Sequence, residues 1–184
     1  MATARSLTPD LYAVLSGTLD SSAVPRILTS FGNASQNNVQ YIHVLFQSTE
    51  GGIREGIRLY NFFKNFSIDL TFYNMGVVSS VAVIAYLGAK TRKVSRHATF
   101  MIRRTQTTNQ VANNDTVEAP AESAMLLDKT AEAILREHIN MPANRWAHFS
   151  RNDLWFSAEQ AVKYGIAHEI GDFAAPADAK IWTL

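Results

Sequence analysis

The chain is predicted to adopt an α/β fold, and three observations lead to this expectation. Apolar runs typical of strands alternate with amphipathic stretches typical of helices along most of the sequence. With 184 residues, 47% of them hydrophobic, the chain can bury one core but is too short for two. The expected order, β-α-β-α-β-α-β-α-α-β, favours parallel strands joined by right-handed crossovers. We therefore expect a single domain over 1–184, with a short N-terminal tail over 1–10.

The N-terminal half is expected to supply three strands and the helices between them. "LYAVLSGTLD" (11–20) predicts the first strand, and the helix after it is expected to stop at Gly32. "YIHVLFQ" (41–47) is a nearly continuous apolar run, typical of a strand covered on both faces. Apolar residues at helical spacing start at Ile53 and predict the second helix. Alternating apolar residues in "SIDLTFYN" (67–74) predict the third strand.

The middle of the chain combines a buried helix, a long loop and a long helix. "GVVSSVAVIAYLGAK" (76–90) predicts a helix that runs up to Gly88, and "KVSRHATFMI" (93–102) predicts one or two strands. Residues 103–120 are polar and without period, which indicates a long loop. An amphipathic pattern then predicts a long helix over 121–139.

The C-terminal part is predicted to contain a short capped helix and a last strand. Residues 140–155 indicate a short helix or an irregular link. Ser157 and Gln160 form the capping box "SAEQ" of a helix that ends at Gly165. The final strand and turn are expected within "IAHEIGDF" (166–173).

Composition excludes several classes of function. The formal net charge is only +1, and the basic clusters "KTRK" (90–93) and "RR" (103–104) are too small to predict nucleic-acid binding. Without cysteine the chain cannot form disulfides, thiolate metal sites or a cysteine nucleophile. No stretch approaches 18 uninterrupted apolar residues, and "MATARSLTPD" (1–10) lacks the apolar core of a secretory signal. We expect a cytoplasmic protein with no metal, no cofactor and no membrane contact.

Two glycine-containing segments follow predicted strands and are the candidates for chemistry. Gly51–Gly52 and the turn from Gly76 to Ser79 would lie at the carboxyl ends of parallel strands, where ligands bind in such sheets. Backbone N–H groups at these turns could form an oxyanion hole, and a serine at a strand-to-helix turn could act as a nucleophile. Taken singly, each segment is more simply explained as a turn or as a helix cap.

The order of these segments resembles the proteolytic subunit of the Clp protease (ClpP), within the wider ClpP/crotonase-like group. The similarity covers about residues 11–172. "STEGGIREGIRLYNFF" is similar to the family's strand–glycine–helix segment, and "GVVSSVAVIAYLGAK" to its nucleophile segment. "HATFMIRR" is similar to the strand "RVMIHQP", and "NDLWFSAEQAVKYGIAHEI" to the ending "RDNFLSAEEAKEYGLID". The resemblance implies a superhelical core of repeated β-β-α and βαβ units, with residues 121–139 as a protruding handle helix.

The resemblance also implies roles for individual residues. Ser79 falls on the nucleophile of the family, at the family's distance from "LGAK", and Asp153 falls on the acid of the triad. The backbone of Ser80, together with that of Gly51 or Gly52, falls where the family holds the oxyanion.

The position of the triad histidine is occupied by Arg103, because the family's "MIH" reads "MIR" in this chain. Arginine stays protonated and has no acceptor, so it cannot take a proton from a serine. Of the five histidines, His148 is kept as a substitute base because it is nearest in sequence to Asp153. Arg103 is alternatively expected to form a salt bridge with Asp153.

The leading expectation is therefore a ClpP-like serine peptidase homologue, acting on peptide bonds, with an impaired site. By resemblance it forms a homo-oligomer, a ring or stacked rings. Docking to an AAA+ unfoldase is not expected, because only about ten residues precede the first strand. Two alternatives stay open: a non-catalytic ring subunit or scaffold, and a crotonase-type enzyme for acyl-CoA with Glu50 as its acidic residue.

Overall fold

Two β-sheets of different size carry the fold in the computed structural model, which describes residues 10–35, 39–104 and 118–184. In chain order, the strands are β1 (Leu11–Ser16), β2 (Tyr41–Gln47), β3 (Asp69–Asn74), β4 (Val77–Ser79), β5 (Thr91–Val94), β6 (Thr99–Ile102), β7 (Leu154–Ser157), β8 (Glu169–Ile170) and β9 (Ile181–Thr183). The helices are α1 (Ala23–Ser35), α2 (Ile53–Lys64), α3 (Val81–Leu87), α4 (Glu118–His138), α5 (Ala143–Phe149) and α6 (Ala158–Tyr164). The predicted α/β class is confirmed.

The large sheet has the order β8-β5-β3-β2-β1-β9, and all of its strand pairs are parallel. This agrees with the parallel pairing expected from alternating strands and helices. The small sheet has the order β4-β6-β7, with β4 parallel and β7 antiparallel to β6. Its two outer strands were not predicted as strands, because runs of three or four residues carry little periodic signal.

Several predicted boundaries differ from the structure. Helix α1 continues through Gly32 to Ser35, so the expected stop at that glycine is wrong. Helix α4 begins at Glu118, three residues before the predicted start of the handle helix, and ends at His138. Residues 1–9 of the predicted tail and 105–117 of the predicted loop lie outside the described residues. Within the described ranges, no helix combines the length and the apolar character needed to cross a membrane.

Helix α3 is enclosed by the rest of the described core. All seven of its residues are buried, from Val81 to Leu87. A helix that is apolar on every side must be surrounded by protein, since it has no face to offer to water. It contacts helices α2 and α4 and strands β4 and β6. The residues that lead into α3 are therefore held between the two sheets.

Close contact between α2 and α3 depends on a glycine. A Cβ atom placed on the buried Gly56 of α2 would lie 2.4 Å from Val81 Cγ1 and 3.0 Å from the Val81 carbonyl oxygen. The first distance is shorter than a Cβ atom tolerates and the second is unusually tight, so glycine is what lets the helices approach this closely. Because Val81 is the first residue of α3, this contact also positions the serine pair that precedes it.

We predict that Gly56→Ala lowers the free energy of unfolding by about 1–3 kcal/mol, the usual range for overpacking a core. The matched control is Gly32→Ala in α1, where an added Cβ meets no atom within 4 Å. That variant should be unchanged or more stable by about 0.5–1 kcal/mol, because alanine favours helix over glycine. Chemical denaturation of both variants checks this, and equal stability of Gly56→Ala and wild type would contradict the close-contact argument.

Candidate active site

The turn between β4 and α3 is strained at Ser80. Among the described non-glycine residues, Ser80 alone has a positive φ, with φ 58° and ψ −130°. A side chain in this region costs of order 1–3 kcal/mol and persists only when the surroundings enforce it. Here the Ser80 N–H donates to the Met101 carbonyl at 2.8 Å, and the Ser80 carbonyl accepts from the Val83 N–H at 3.1 Å. A strained strand-to-helix turn is the geometry that presents a nucleophilic serine in hydrolases.

The two serines of this turn have different environments. Ser79 is 4% exposed, and its Oγ donates to the Thr49 carbonyl at 3.0 Å. Its N–H donates to the Ser48 carbonyl at 3.1 Å, so both of its donors are engaged. Ser80 is half-buried and occupies the N-cap position of α3, but its side chain makes no capping hydrogen bond. The capping explanation of the serine pair therefore finds no support in the Ser80 hydroxyl.

Ser79 donates hydrogen bonds to the carbonyls of Ser48 and Thr49. These two residues stand shortly before Gly51–Gly52 in the sequence, so the glycine pair lies beside this turn. Gly52 N–H donates to the Leu19 carbonyl at 3.0 Å, and a Cβ on Gly51 would lie 2.6 Å from that same oxygen. Within the described part of the chain, the N–H groups of Gly51 and Val81 donate to no acceptor.

Of the expected oxyanion donors, only Gly51 thus has a free N–H in this conformation. The N–H groups of Ser80 and Gly52 are engaged in backbone hydrogen bonds, contrary to the expectation from the sequence. Val81, the residue after Ser80, offers a free N–H that sequence reasoning missed. The second serine was the sequence signal for this donor. If Ser80 rather than Ser79 is the nucleophile, the residue after it, whose N–H would hold the oxyanion, is Val81 rather than Ser80.

Arg103 and Asp153 face each other at the end of the small sheet. The pairing of Ile102 with Leu154 places them opposite, and Arg103 Nε lies 4.0 Å from Asp153 Oδ2. Their side chains are 47% and 48% exposed, so the pair contributes at most about 1 kcal/mol. The expected pairing is present, but as a long and solvated contact. Arg103 stands two residues beyond Met101, whose carbonyl holds Ser80.

None of the imidazoles bonds to Ser79 or Ser80 within the described ranges. His43 lies between Tyr73 and Asp10, with Nδ1 3.0 Å from the hydroxyl and Nε2 3.4 Å from the carboxylate. Of the other described imidazoles, that of His138 bonds to the Tyr60 hydroxyl and that of His168 to the Arg92 backbone N–H. The rings of His97 and His148 belong to exposed residues and form no hydrogen bond with the described residues. His148, kept from the sequence as a substitute base, is not among the described hydrogen-bond partners of either serine. The described residues also form no cluster of three or more metal-ligating side chains.

Residues 9–173 match the sequence profile of the Clp protease family. The chain belongs to the Clp protease family. The match covers both sheets apart from β9 and contains every site residue discussed above. Arg103 is therefore a feature of a Clp protease homologue rather than of an unrelated fold.

Known relatives agree with this assignment. The chain is 29% identical over 132 residues to the ATP-dependent Clp protease proteolytic subunit of Dehalococcoides mccartyi, with coverage of 71% of the chain and 64% of the relative. It is 21% identical over 137 residues to proteolytic subunit 2 of Chlamydia muridarum, with coverage of 74% and 68%. The chain thus spans about two thirds of the length of these relatives.

Among solved structures, a single-substitution mutant of ClpP1 from Listeria monocytogenes has a similar fold. The TM-score is 0.74 at 17% sequence identity, and the match covers 90% of this chain and 92% of that one. The ClpP-like fold expected from the sequence is confirmed.

We predict that Ser80→Gly raises the melting temperature of this Clp protease homologue. Glycine adopts positive φ freely, so relief of about 1–3 kcal/mol of strain outweighs its entropic cost of about 0.5–1 kcal/mol. The same substitution at Ser79 is the control, and it should lower the melting temperature because it removes the hydrogen bond to Thr49. Differential scanning calorimetry of the two variants tests this. A loss of stability at both positions would argue against strain at Ser80.

Proposed function

We propose that this chain is a subunit of a ClpP-type peptidase assembly whose hydrolytic centre is impaired. The observation that carries the proposal is the position of Arg103, at the end of β6 and opposite Asp153, where a general base would be needed. A guanidinium group cannot accept the serine proton, and no described imidazole replaces it. The strained turn, the free N–H groups and the acid position are the parts of a hydrolase site that the chain keeps.

Between the two serines, the geometry favours Ser80 as the residue that would attack. It lies at the strained turn and is partly accessible, whereas Ser79, the nucleophile expected from the sequence, is buried and bonded to Thr49. With Ser80 as nucleophile, the N–H of Val81 and that of Gly51 would be the two donors for an oxyanion. The role of Ser79 is then to anchor the turn to the segment that carries the glycine pair.

The missing base sets the scale of the impairment. Removing the histidine of a serine–histidine–aspartate triad costs about 10⁶-fold in kcat, while oxyanion stabilisation and binding leave about 10³–10⁴-fold over water. The peptide-bond cleavage of this chain alone is therefore expected to be slow, with extended peptides as the substrate class. A non-catalytic ring subunit is the second candidate, and the same arginine favours it.

Assembly into a homo-oligomeric ring is part of the proposal. Members of the family typically form rings, and two large apolar side chains on α4 lie open to solvent in the isolated chain. Met125 is 59% exposed and Leu126 is 66% exposed. A helix that presents such residues is suited to contact another copy of the chain.

We predict that a fluorophosphonate probe labels wild-type protein slowly, and that Ser80→Ala abolishes the labelling while Ser79→Ala does not. The probe reports activation of a serine directly, and intact-mass spectrometry with peptide mapping locates it. Circular dichroism on both variants controls for folding. Rapid labelling of the wild type would contradict impairment, and loss of labelling only in Ser79→Ala would contradict the assignment of Ser80.

We predict that Arg103→His creates or greatly raises cleavage of short fluorogenic peptides, because a neutral imidazole supplies the missing proton acceptor. Asp153→Asn in the Arg103→His background should remove most of the gain, since the acid orients and stabilises the imidazole. Arg104→His, at the neighbouring arginine, is the matched control and should show no gain. A correctly folded Arg103→His protein without activity would reject the peptidase proposal and leave the non-catalytic subunit.

A further inference from the structure

A basic pocket of about 330 Å³ lies outside the candidate active site. It opens where the end of α2, the segment from α3 to β5 and the end of α4 meet. Its ionisable lining residues are all basic, namely Lys64, Lys90, Arg92, His138 and His168. The remaining lining residues are apolar or glycine, namely Phe63, Phe66, Ile68, Leu70, Leu87, Gly88 and Ala89. The volume is in the range of small-molecule sites, and no acidic side chain lines it.

The charge at the base of the pocket belongs to Arg92, which is only 6% exposed. Its guanidinium donates to four backbone carbonyls, those of Ile166 at 2.9 Å, Ala89 at 3.0 Å, Gly165 at 3.2 Å and Leu87 at 3.3 Å. None of its partners among the described residues is a carboxylate. Carbonyls accept from four of the five guanidinium N–H groups but bring no counter-charge, so the buried positive charge that lines the pocket is not neutralised by a described carboxylate.

Both histidines of the pocket are held neutral with an N–H group to spare. Lys64 Nζ donates to the Tyr60 hydroxyl at 2.9 Å, and that hydroxyl lies 2.9 Å from His138 Nε2, so it can donate there and leave the imidazole proton on Nδ1. Burial and the charge of Arg92 lower the pKa of His138 to about 4. His168 Nδ1 accepts from the Arg92 N–H at 3.1 Å, which leaves its proton on Nε2. His168 thus offers a donor, and His138 does so in the tautomer that carries its proton on Nδ1.

Two lysines stand at the rim, and their carboxylate partners lie outside the lining. Lys64 Nζ lies 2.7 Å from Glu137, and Lys90 Nζ lies 2.6 Å from Asp69. All four side chains are between 42% and 69% exposed, so these pairs are weak, and the Lys90 ammonium group can turn toward the pocket. Each lysine–carboxylate pair is neutral overall, so Arg92 carries the net charge of the site.

We propose that the basic pocket binds a small tetrahedral oxyanion, either inorganic phosphate or the phosphate group of a small metabolite. Such a group accepts hydrogen bonds in several directions, and the pocket offers N–H donors from α2, from the segment between α3 and β5, from α4 and from the segment before β8. Binding there would supply the counter-charge that Arg92 lacks. This site is separate from Ser80 and Arg103, so its occupancy can be tested without any peptidase activity.

Thermal melts of the full chain test the proposal, with sodium sulfate, sodium phosphate or glycerol phosphate compared with sodium chloride at matched ionic strength. We expect a saturable rise in melting temperature, and Lys90→Gln should weaken the apparent affinity about tenfold, as for loss of one charged hydrogen bond. Lys180→Gln, at an exposed lysine beside Trp182 on β9, is the matched control and should match the wild type. Inorganic phosphate stronger than glycerol phosphate would identify the free ion as ligand, and the reverse would identify the ester.

A second measurement keeps the test decisive if Lys90→Gln is unstable. In proton NMR of the wild type, phosphate should shift the ring resonances of His138 and His168 along a saturable curve, while those of the exposed His97 and His148 stay in place. A linear, non-saturating stabilisation that is equal in all variants would be a general salt effect and would overturn the proposal. Unchanged resonances of His138 and His168 would overturn it as well.

Discussion

The complete burial of α3 is the constraint on which the candidate site depends. Because this helix has no solvent-facing side, its direction is set by α2, α4, β4 and β6 rather than by its own ends. Gly56 lets Val81 come close, and the Met101 carbonyl fixes the N–H of the residue before it. Ser80 is thus held at its own N–H and at the residue that follows it, and these two restraints enforce its strained conformation. The fold therefore builds the turn whether or not a proton acceptor is present.

This separation explains why membership of the Clp protease family does not by itself fix the chemistry of the site. The parallel sheet, the buried helix and the antiparallel pair of β6 and β7 are packing features of this chain. Arg103 is an exposed side chain just after β6, so the residue at this position can vary without disturbing that packing. A shared fold is thus weak support for a shared reaction, and the reaction has to be argued from the site.

Local chemistry made part of this structure predictable. Ser157 and Gln160 form the expected capping box, and Gly165 ends the helix with a positive φ of 86°. Both helix ends were predictable because a cap depends on residues only a few positions apart in the sequence. The passage of α1 through Gly32 was not predictable in this way, since Phe31 and Ala34 are buried on either side of it and tertiary packing outweighs the glycine. The conformation of Ser80 was also hidden, because it is imposed by residues on another helix and another strand.

An arginine rather than a histidine after β6 affects how this end of the small sheet responds to acidity. A histidine at that position would gain and lose charge near neutrality, and the site would act as a relay for protons. A guanidinium has no proton acceptor, so Arg103 cannot serve as such a relay. The side chain at this position therefore does not exchange protons. Histidine-dependent responses to acidity then originate at the imidazoles that bond elsewhere, such as His138 beside Tyr60.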